Sequence, residues 1–314
     1  MVFSNEALKT IYTGAYWFEE TQDGYLKANQ YSKEQMDYFN GAFQMWAERC
    51  DASSAKTIEL ITDATELAFD YKIKWICSKD TFEVWEDDLA TGIVRLEGLA
   101  DEGHLQFKLT EGRKKVVLYL PCDATILIRN FEINSDDYAP VQKGQKVLWL
   151  GDSITQGYGP LRSAHCYVSV ANRILNYDIL NQGIGGYVYD KLSLMKMEGY
   201  TPDKIIVALG TNQFWSKDIK PVEEYYDVLT ELYKGIPILC ISPIWRGDNA
   251  EAYPDFVEFC EQIKAVAARY EQVTVLDGFK LVPHLPEYYL DNLHPNQLGA
   301  EMYAVNLVRF IESL

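Results

Sequence analysis

Val147-Leu148-Trp149-Leu150-Gly151-Asp152-Ser153-Ile154-Thr155-Gln156-Gly157 begins as an apolar run and then changes abruptly to glycine, acid and hydroxyl. The apolar part reads as a strand, and the change leaves Ser153 at its carboxyl end, where a loop or helix begins. A serine there either caps the next helix or exposes its hydroxyl among backbone N–H groups. Downstream, apolar strands alternate with amphipathic stretches, the signature of βα units around a parallel sheet. Strands are expected at 147–150, 177–180, 204–209, 236–241 and 273–276, and helices at 167–175, 222–233, 253–270 and 296–311. That pattern implies a doubly wound α/β domain with a five-stranded parallel sheet. In such sheets, chemistry gathers on loops beyond the carboxyl ends of the strands.

Upstream the periodicity differs. From about residue 42 to 133, short runs rich in β-branched and aromatic residues, such as Val116-Val117-Leu118-Tyr119-Leu120, are separated by turn sequences such as Asp101-Glu102-Gly103. This half reads as an antiparallel β-sandwich. Ser32-Lys33-Glu34-Gln35 has capping-box spacing and should open a short helix through Phe39. The polar stretch 134–144, with Pro140 and Gly144, marks the boundary between a β-domain at 1–140 and an α/β domain at 141–314.

Composition limits the partners. The 314 residues are 48% hydrophobic and carry a net charge of −17, enough apolar material for two cores and a field that repels nucleic acid and anionic membranes. No apolar stretch approaches the roughly 20 residues of a membrane span. The start, Met1-Val2-Phe3-Ser4-Asn5-Glu6, does not read as a signal peptide, so a soluble, cytoplasmic protein is expected. Six widely spaced cysteines read as free thiols, and the four histidines are not paired at metal-binding spacings. No metal or other cofactor is expected.

Three further strand-end segments accompany Ser153. Asn181-Gln182-Gly183-Ile184-Gly185-Gly186 offers a tight backbone whose N–H groups can approach an oxyanion. Gly210-Thr211-Asn212 puts a carboxamide at the same sheet edge. Asp291-Asn292-Leu293-His294-Pro295-Asn296 puts a carboxylate three residues before a histidine, with Pro295 suited to open the last helix. Asp291 can then orient one imidazole nitrogen while the other faces Ser153. Each segment alone has a bland reading as a cap or turn.

Together, in this order, the four segments resemble the GDSL/SGNH hydrolase superfamily, with its flavodoxin-like α/β/α fold. The resemblance implies Ser153 as nucleophile, His294 as general base and acid, and Asp291 as its orienting partner. It also implies an oxyanion hole built from the Ser153 and Gly186 N–H groups and the Asn212 side chain. The match covers about half of the chain. It departs from the pattern at Gln213, where the family usually has Asp, and this bears on loop structure rather than on catalysis.

The two-domain arrangement, with a jelly-roll-like N-terminal sandwich, further resembles carbohydrate acetylesterases. Tyr158, Tyr187, Phe214, Trp215 and Trp245 all follow strand ends and could present flat faces to sugar rings. The leading expectation is therefore an esterase that removes acetyl groups from a sugar or oligosaccharide through an acyl-enzyme. A lipid or thioester acylhydrolase is the alternative within enzymes, and a non-catalytic carbohydrate-binding protein the alternative outside them. The β-domain reads as a structural flank or a homo-oligomer interface in preference to a glycan-binding module.

Overall fold

The computed structural model describes residues 1–78 and 80–314. The N-terminal half contains α1 (Asn5–Lys9), β1 (Tyr12–Thr13), β2 (Trp17–Glu20), β3 (Leu26–Asn29), α2 (Lys33–Ala42), α3 (Gln44–Arg49), β4 (Thr57–Thr62), β5 (Glu66–Ile76), β6 (Thr81–Glu86), β7 (Leu89–Arg95), β8 (Glu102–Lys108), β9 (Lys114–Tyr119), β10 (Ala124–Ile133) and β11 (Tyr138–Pro140). These strands form two antiparallel sheets, one ordered β1-β4-β9-β6-β7 with β11 on β4, the other β2-β3-β10-β5-β8. The alternating apolar residues of both sheets, among them Leu60, Phe69, Phe82, Leu118 and Ile128, meet in one core. The sandwich is thus the one expected, but it also uses strands before residue 42, which are too short to show periodicity in the sequence.

The capping box forms as expected: Ser32 Oγ accepts from the Gln35 amide and Gln35 Oε1 from the Ser32 amide. The helix it starts runs to Ala42, three residues beyond Phe39. A second short helix, α3, follows where strands were expected.

The second half comprises β12 (Lys146–Gly151), α4 (Ser153–Gln156), α5 (Tyr167–Leu175), β13 (Asp178–Gly183), β14 (Lys204–Ala208), α6 (Lys220–Leu232), β15 (Ile238–Ile241), α7 (Tyr253–Ala267), β16 (Val273–Leu276) and α8 (Gln297–Glu312). The five strands are parallel, in the order β13-β12-β14-β15-β16. The chain reverses its winding between β12 and β14, which is where doubly wound sheets open a crevice. Apolar residues cover both faces of the sheet: Leu148, Ile205 and Val207 pack toward α6 and α7, while Val147, Trp149 and Ile206 pack toward α5 and α8.

Pro295 does not open the last helix. Asn296 is its N-cap, with its side chain accepting from the Gly299 amide, and Pro295 lies one residue earlier in an isolated bridge to Tyr289. No helix among the described residues is long and apolar enough to cross a membrane.

Candidate active site

β12 ends at Gly151, and Ser153 is the first residue of the one-turn α4. Asp152 caps that turn by accepting from the Ile154 amide at 3.0 Å. Capping thus falls to Asp152, and the Ser153 hydroxyl is left for another partner. That partner is His294, whose Nε2 lies 2.9 Å from Ser153 Oγ.

The histidine is fixed from below by its own loop. Asp291 Oδ1 accepts from the amides of Leu293 and His294, at 3.1 and 2.8 Å, and Oδ2 lies 2.8 Å from His294 Nδ1. Burial alone would raise the Asp291 carboxyl, but the hydrogen bonds from the His294 amide, its ring and the Leu293 amide pull it below the usual carboxylate value. The carboxylate therefore stays ionised and holds a proton on Nδ1, leaving Nε2 to accept from the serine. Gly159 lets the loop after α4 pass the histidine: its φ is +124°, and a side chain there would run into the Pro295 carbonyl.

Gly186 and Asn212 approach the same edge from β13 and β14. Gly186 has φ +75°, and its amide has no acceptor among the described residues. Asn212 uses one amide hydrogen on the Tyr187 carbonyl at 3.0 Å, which anchors the carboxamide and leaves the other hydrogen available. The Ser153 amide, at the first position of its helix, has no acceptor within the helix. Gln213 Oε1 accepts from the Tyr189 amide at 2.8 Å, a loop contact in keeping with a structural role.

The other histidines are occupied elsewhere: His104 with Asp70, His165 with Glu301, and His284 with the Phe279 carbonyl. No cluster of potential metal ligands occurs among the described residues.

The aromatic residues divide. Tyr158 packs edge-on against His294, with ring centroids 4.6 Å apart. Trp215 is 55% exposed. Trp245 is half-buried and lies against His284 and Tyr289. The expectation that Tyr187 and Phe214 present faces to a sugar is corrected, because both are buried in the core. Tyr187 packs against Phe39 and Trp46, and Phe214 against Phe256 and the Arg246 guanidinium. Following a strand end places a residue near the site edge but does not say which way its ring turns.

Residues of the N-terminal half complete the surroundings, and these the sequence did not reveal. α3 lies on the Gly185–Gly186 loop: Trp46 Nε1 donates to the Gly186 carbonyl at 3.4 Å, and the Met45 methyl and the Arg49 guanidinium occupy the space that side chains at Gly186 and Gly185 would fill. Gln156, at the end of α4, accepts from the Gly185 amide at 2.6 Å and donates to Asp123 at 2.5 Å. One buried carboxamide thus ties the Ser153 turn, the glycine loop and the β-sandwich together. Gln156 stood within the quoted segment; only tertiary docking shows what it does.

Residues 149–302 match the model of the GDSL-like Lipase/Acylhydrolase family. No curated protein matches the chain. Among solved structures, a salicylyl-acyltransferase from a tetracycline biosynthetic pathway is similar at 20% identity and a TM-score of 0.74, over 96% of this chain and 94% of that one. A family two carbohydrate esterase from Clostridium thermocellum, solved with cellohexaose, aligns at 18% identity and a TM-score of 0.64, over 83% of this chain and 93% of that one. Another from Cellvibrio japonicus aligns at 15% identity and the same TM-score of 0.64, over 100% and 96% of the two chains.

Proposed function

From a chain whose residues 149–302 form a GDSL-like lipase/acylhydrolase domain, we propose an esterase that removes acetyl groups from a sugar or oligosaccharide through an acyl-enzyme on Ser153. The observation that carries this reading is the continuous line from Ser153 Oγ through His294 to Asp291, with contacts of 2.9 and 2.8 Å.

In this reading the Ser153 hydroxyl gives its proton to His294 Nε2 as Oγ attacks the ester carbonyl carbon. The negative oxygen that develops receives hydrogen bonds from the Ser153 and Gly186 amides and the free Asn212 hydrogen. Collapse of the tetrahedral intermediate breaks the bond to the sugar oxygen, which takes the proton from His294. Water then gives a proton to the same nitrogen and attacks the acyl carbonyl; collapse breaks the bond to Ser153 Oγ, which takes that proton back from His294 as the acetyl group leaves as acetic acid. Asp291 remains ionised throughout and stabilises the imidazolium.

The sugar reading draws support from the similarity to family two carbohydrate esterases and from Trp215, a large aromatic face left exposed near the site edge. The test is acyl release measured by mass spectrometry, acetate from acetylated oligosaccharides and octanoate from octanoyl esters. Acetate release that Ser153→Ala abolishes supports the proposal. Preference for octanoyl esters overturns the sugar assignment, and no turnover of any ester overturns the activity.

A further inference from the structure

α3 ends in Arg49, which lies across Gly185, one residue from the proposed oxyanion donor Gly186. A trans peptide separates consecutive Cα atoms by about 3.8 Å, so the guanidinium stands within one sugar ring of the place where an acyl carbonyl would sit. Its polar contact is weak: Nη2 reaches the Cys77 sulfur at 3.5 Å, and burial raises that thiol's pKa, so it offers no negative charge.

Arg113, Arg129, Arg162, Arg246 and Arg269 each meet a carboxylate, whereas Arg95 and Arg309 are exposed and Arg173 is taken up by the Ala164 carbonyl and the Trp85 ring. Arg49 has no ion pair within 4 Å among the described residues, although the chain carries 46 acidic side chains. Asp123 feels its charge, but that carboxyl is buried, bonded to Gln156 and held above the usual carboxylate value. Glu48, its chain neighbour, points to Gln44 instead. Tyr158, the ring against His294, is near enough to feel the charges of both Asp291 and Arg49.

A partly exposed guanidinium without a carboxylate partner can receive one that arrives with a ligand through charge-assisted, two-pronged hydrogen bonds. We propose that Arg49 recognises a carboxylate on the substrate, so that the preferred ester is an O-acetylated acidic sugar of the uronic acid type. The assignment rests on the esterase reading and extends it to the substrate's charge. It also accounts for a cationic contact in a site whose protein otherwise repels anions.

The experiment compares kcat/KM for an O-acetylated methyl glucuronoside with that for the O-acetylated methyl glucoside lacking only the carboxylate. The native protein should favour the uronate at least tenfold, with the ratio shrinking as salt is added. Arg49→Gln should bring the ratio close to one, and Arg49→Lys should keep part of it. A native ratio near one, or a ratio unchanged in the glutamine variant while both rates fall together, overturns the proposal. Should the glutamine variant fail to fold, the native ratio and the lysine variant decide.

Calorimetric titration with free glucuronate and glucose separates this from the activity itself. A native protein that turns over no ester yet binds glucuronate in an Arg49-dependent way sinks the esterase reading alone. One that hydrolyses acetyl esters without binding glucuronate sinks the Arg49 assignment alone.

Discussion

Ser153 Oγ lies 2.9 Å from His294 Nε2 although 141 residues separate them in the chain. The contact depends on two loops reaching the same point: the turn after β12 and the loop before α8. Gly159 allows them to pass closely, and α5 and α8 pack side by side beneath, with Tyr167 and Tyr303 stacked at 4.0 Å. The contact is thus held by packing between elements that have no local reason to meet.

Ser153→Ala and His294→Ala should each lower kcat on a small acetyl ester by about 10⁴-fold or more while leaving the circular dichroism spectrum unchanged. Asp291→Asn should be milder, by about one to two orders of magnitude less, because its side chain is 43% exposed and water can partly replace it. Near-native kcat in Ser153→Ala, measured in steady state, would remove the nucleophile assignment.

Asn212→Ala should lower kcat by roughly 10²–10³ with little change in KM, since the free amide hydrogen acts on charge that exists only in the transition state. The same substitution also removes the donor to the Tyr187 carbonyl. Asn212→Asp keeps the side-chain shape but has no hydrogen for either acceptor, and should be as damaging as alanine. A selective rise in KM in steady-state kinetics would make Asn212 a substrate-binding residue instead.

The parallel domain was legible because β-branched runs alternate with amphipathic helices: the strand at Val273–Leu276 and the helix at Tyr167–Leu175 fall where the periodicity places them. The four strand-end segments were legible because glycine, proline and short polar residues leave a mark independent of tertiary context. α3 was not. Gln44-Met45-Trp46-Ala47-Glu48-Arg49 is too short for helical periodicity, and none of its residues is fully buried. Its helical state and its place on the Gly185–Gly186 loop come from docking between the two halves. Tyr187 and Phe214 escaped for a related reason, because the side of the loop on which each ring lands is set by its contacts with Phe39, Trp46 and Phe256.

Asp152 supplies a pH test. Burial pushes its carboxyl up to about 7, against the hydrogen bond from the Ile154 amide and the Arg246 charge, which pull it down. A raised acid keeps its proton in the folded state after the unfolded chain has lost it, at about pH 3.9. Between about pH 4 and 7 the folded state therefore binds more protons, and stability falls as pH rises, with a slope of up to about 1.4 kcal/mol per unit from this group. Above about 7 both states are ionised and the effect levels off. Asp152→Asn retains an acceptor for the Ile154 amide but cannot ionise, so chemical denaturation across this range should show the native protein losing stability relative to the variant. A constant difference between the two would mean that Asp152 ionises in the folded state as it does in water.

Trp215 and Trp245 should separate by assay. Trp215 is 55% exposed, and its ring packs on Phe214 at a centroid distance of 4.2 Å, so Trp215→Ala removes a surface face without opening a cavity. Its loss should lower kcat/KM for acetylated oligosaccharides by up to about tenfold, the scale of the roughly 0.5–1.5 kcal/mol that aromatic packing contributes beyond area burial, and leave turnover of a bare aryl acetate nearly unchanged. Trp245 is half-buried between His284 and Tyr289, beside the loop that leads to Asp291 and His294. Trp245→Ala should instead destabilise the fold by about 1–3 kcal/mol and lower both activities together, because the histidine loop loses its support. Both substrates measured on the same two variants, with a denaturation curve for each, test the division. Equal losses on sugar and aryl esters in Trp215→Ala would mean that its ring supports the loop and does not meet the sugar.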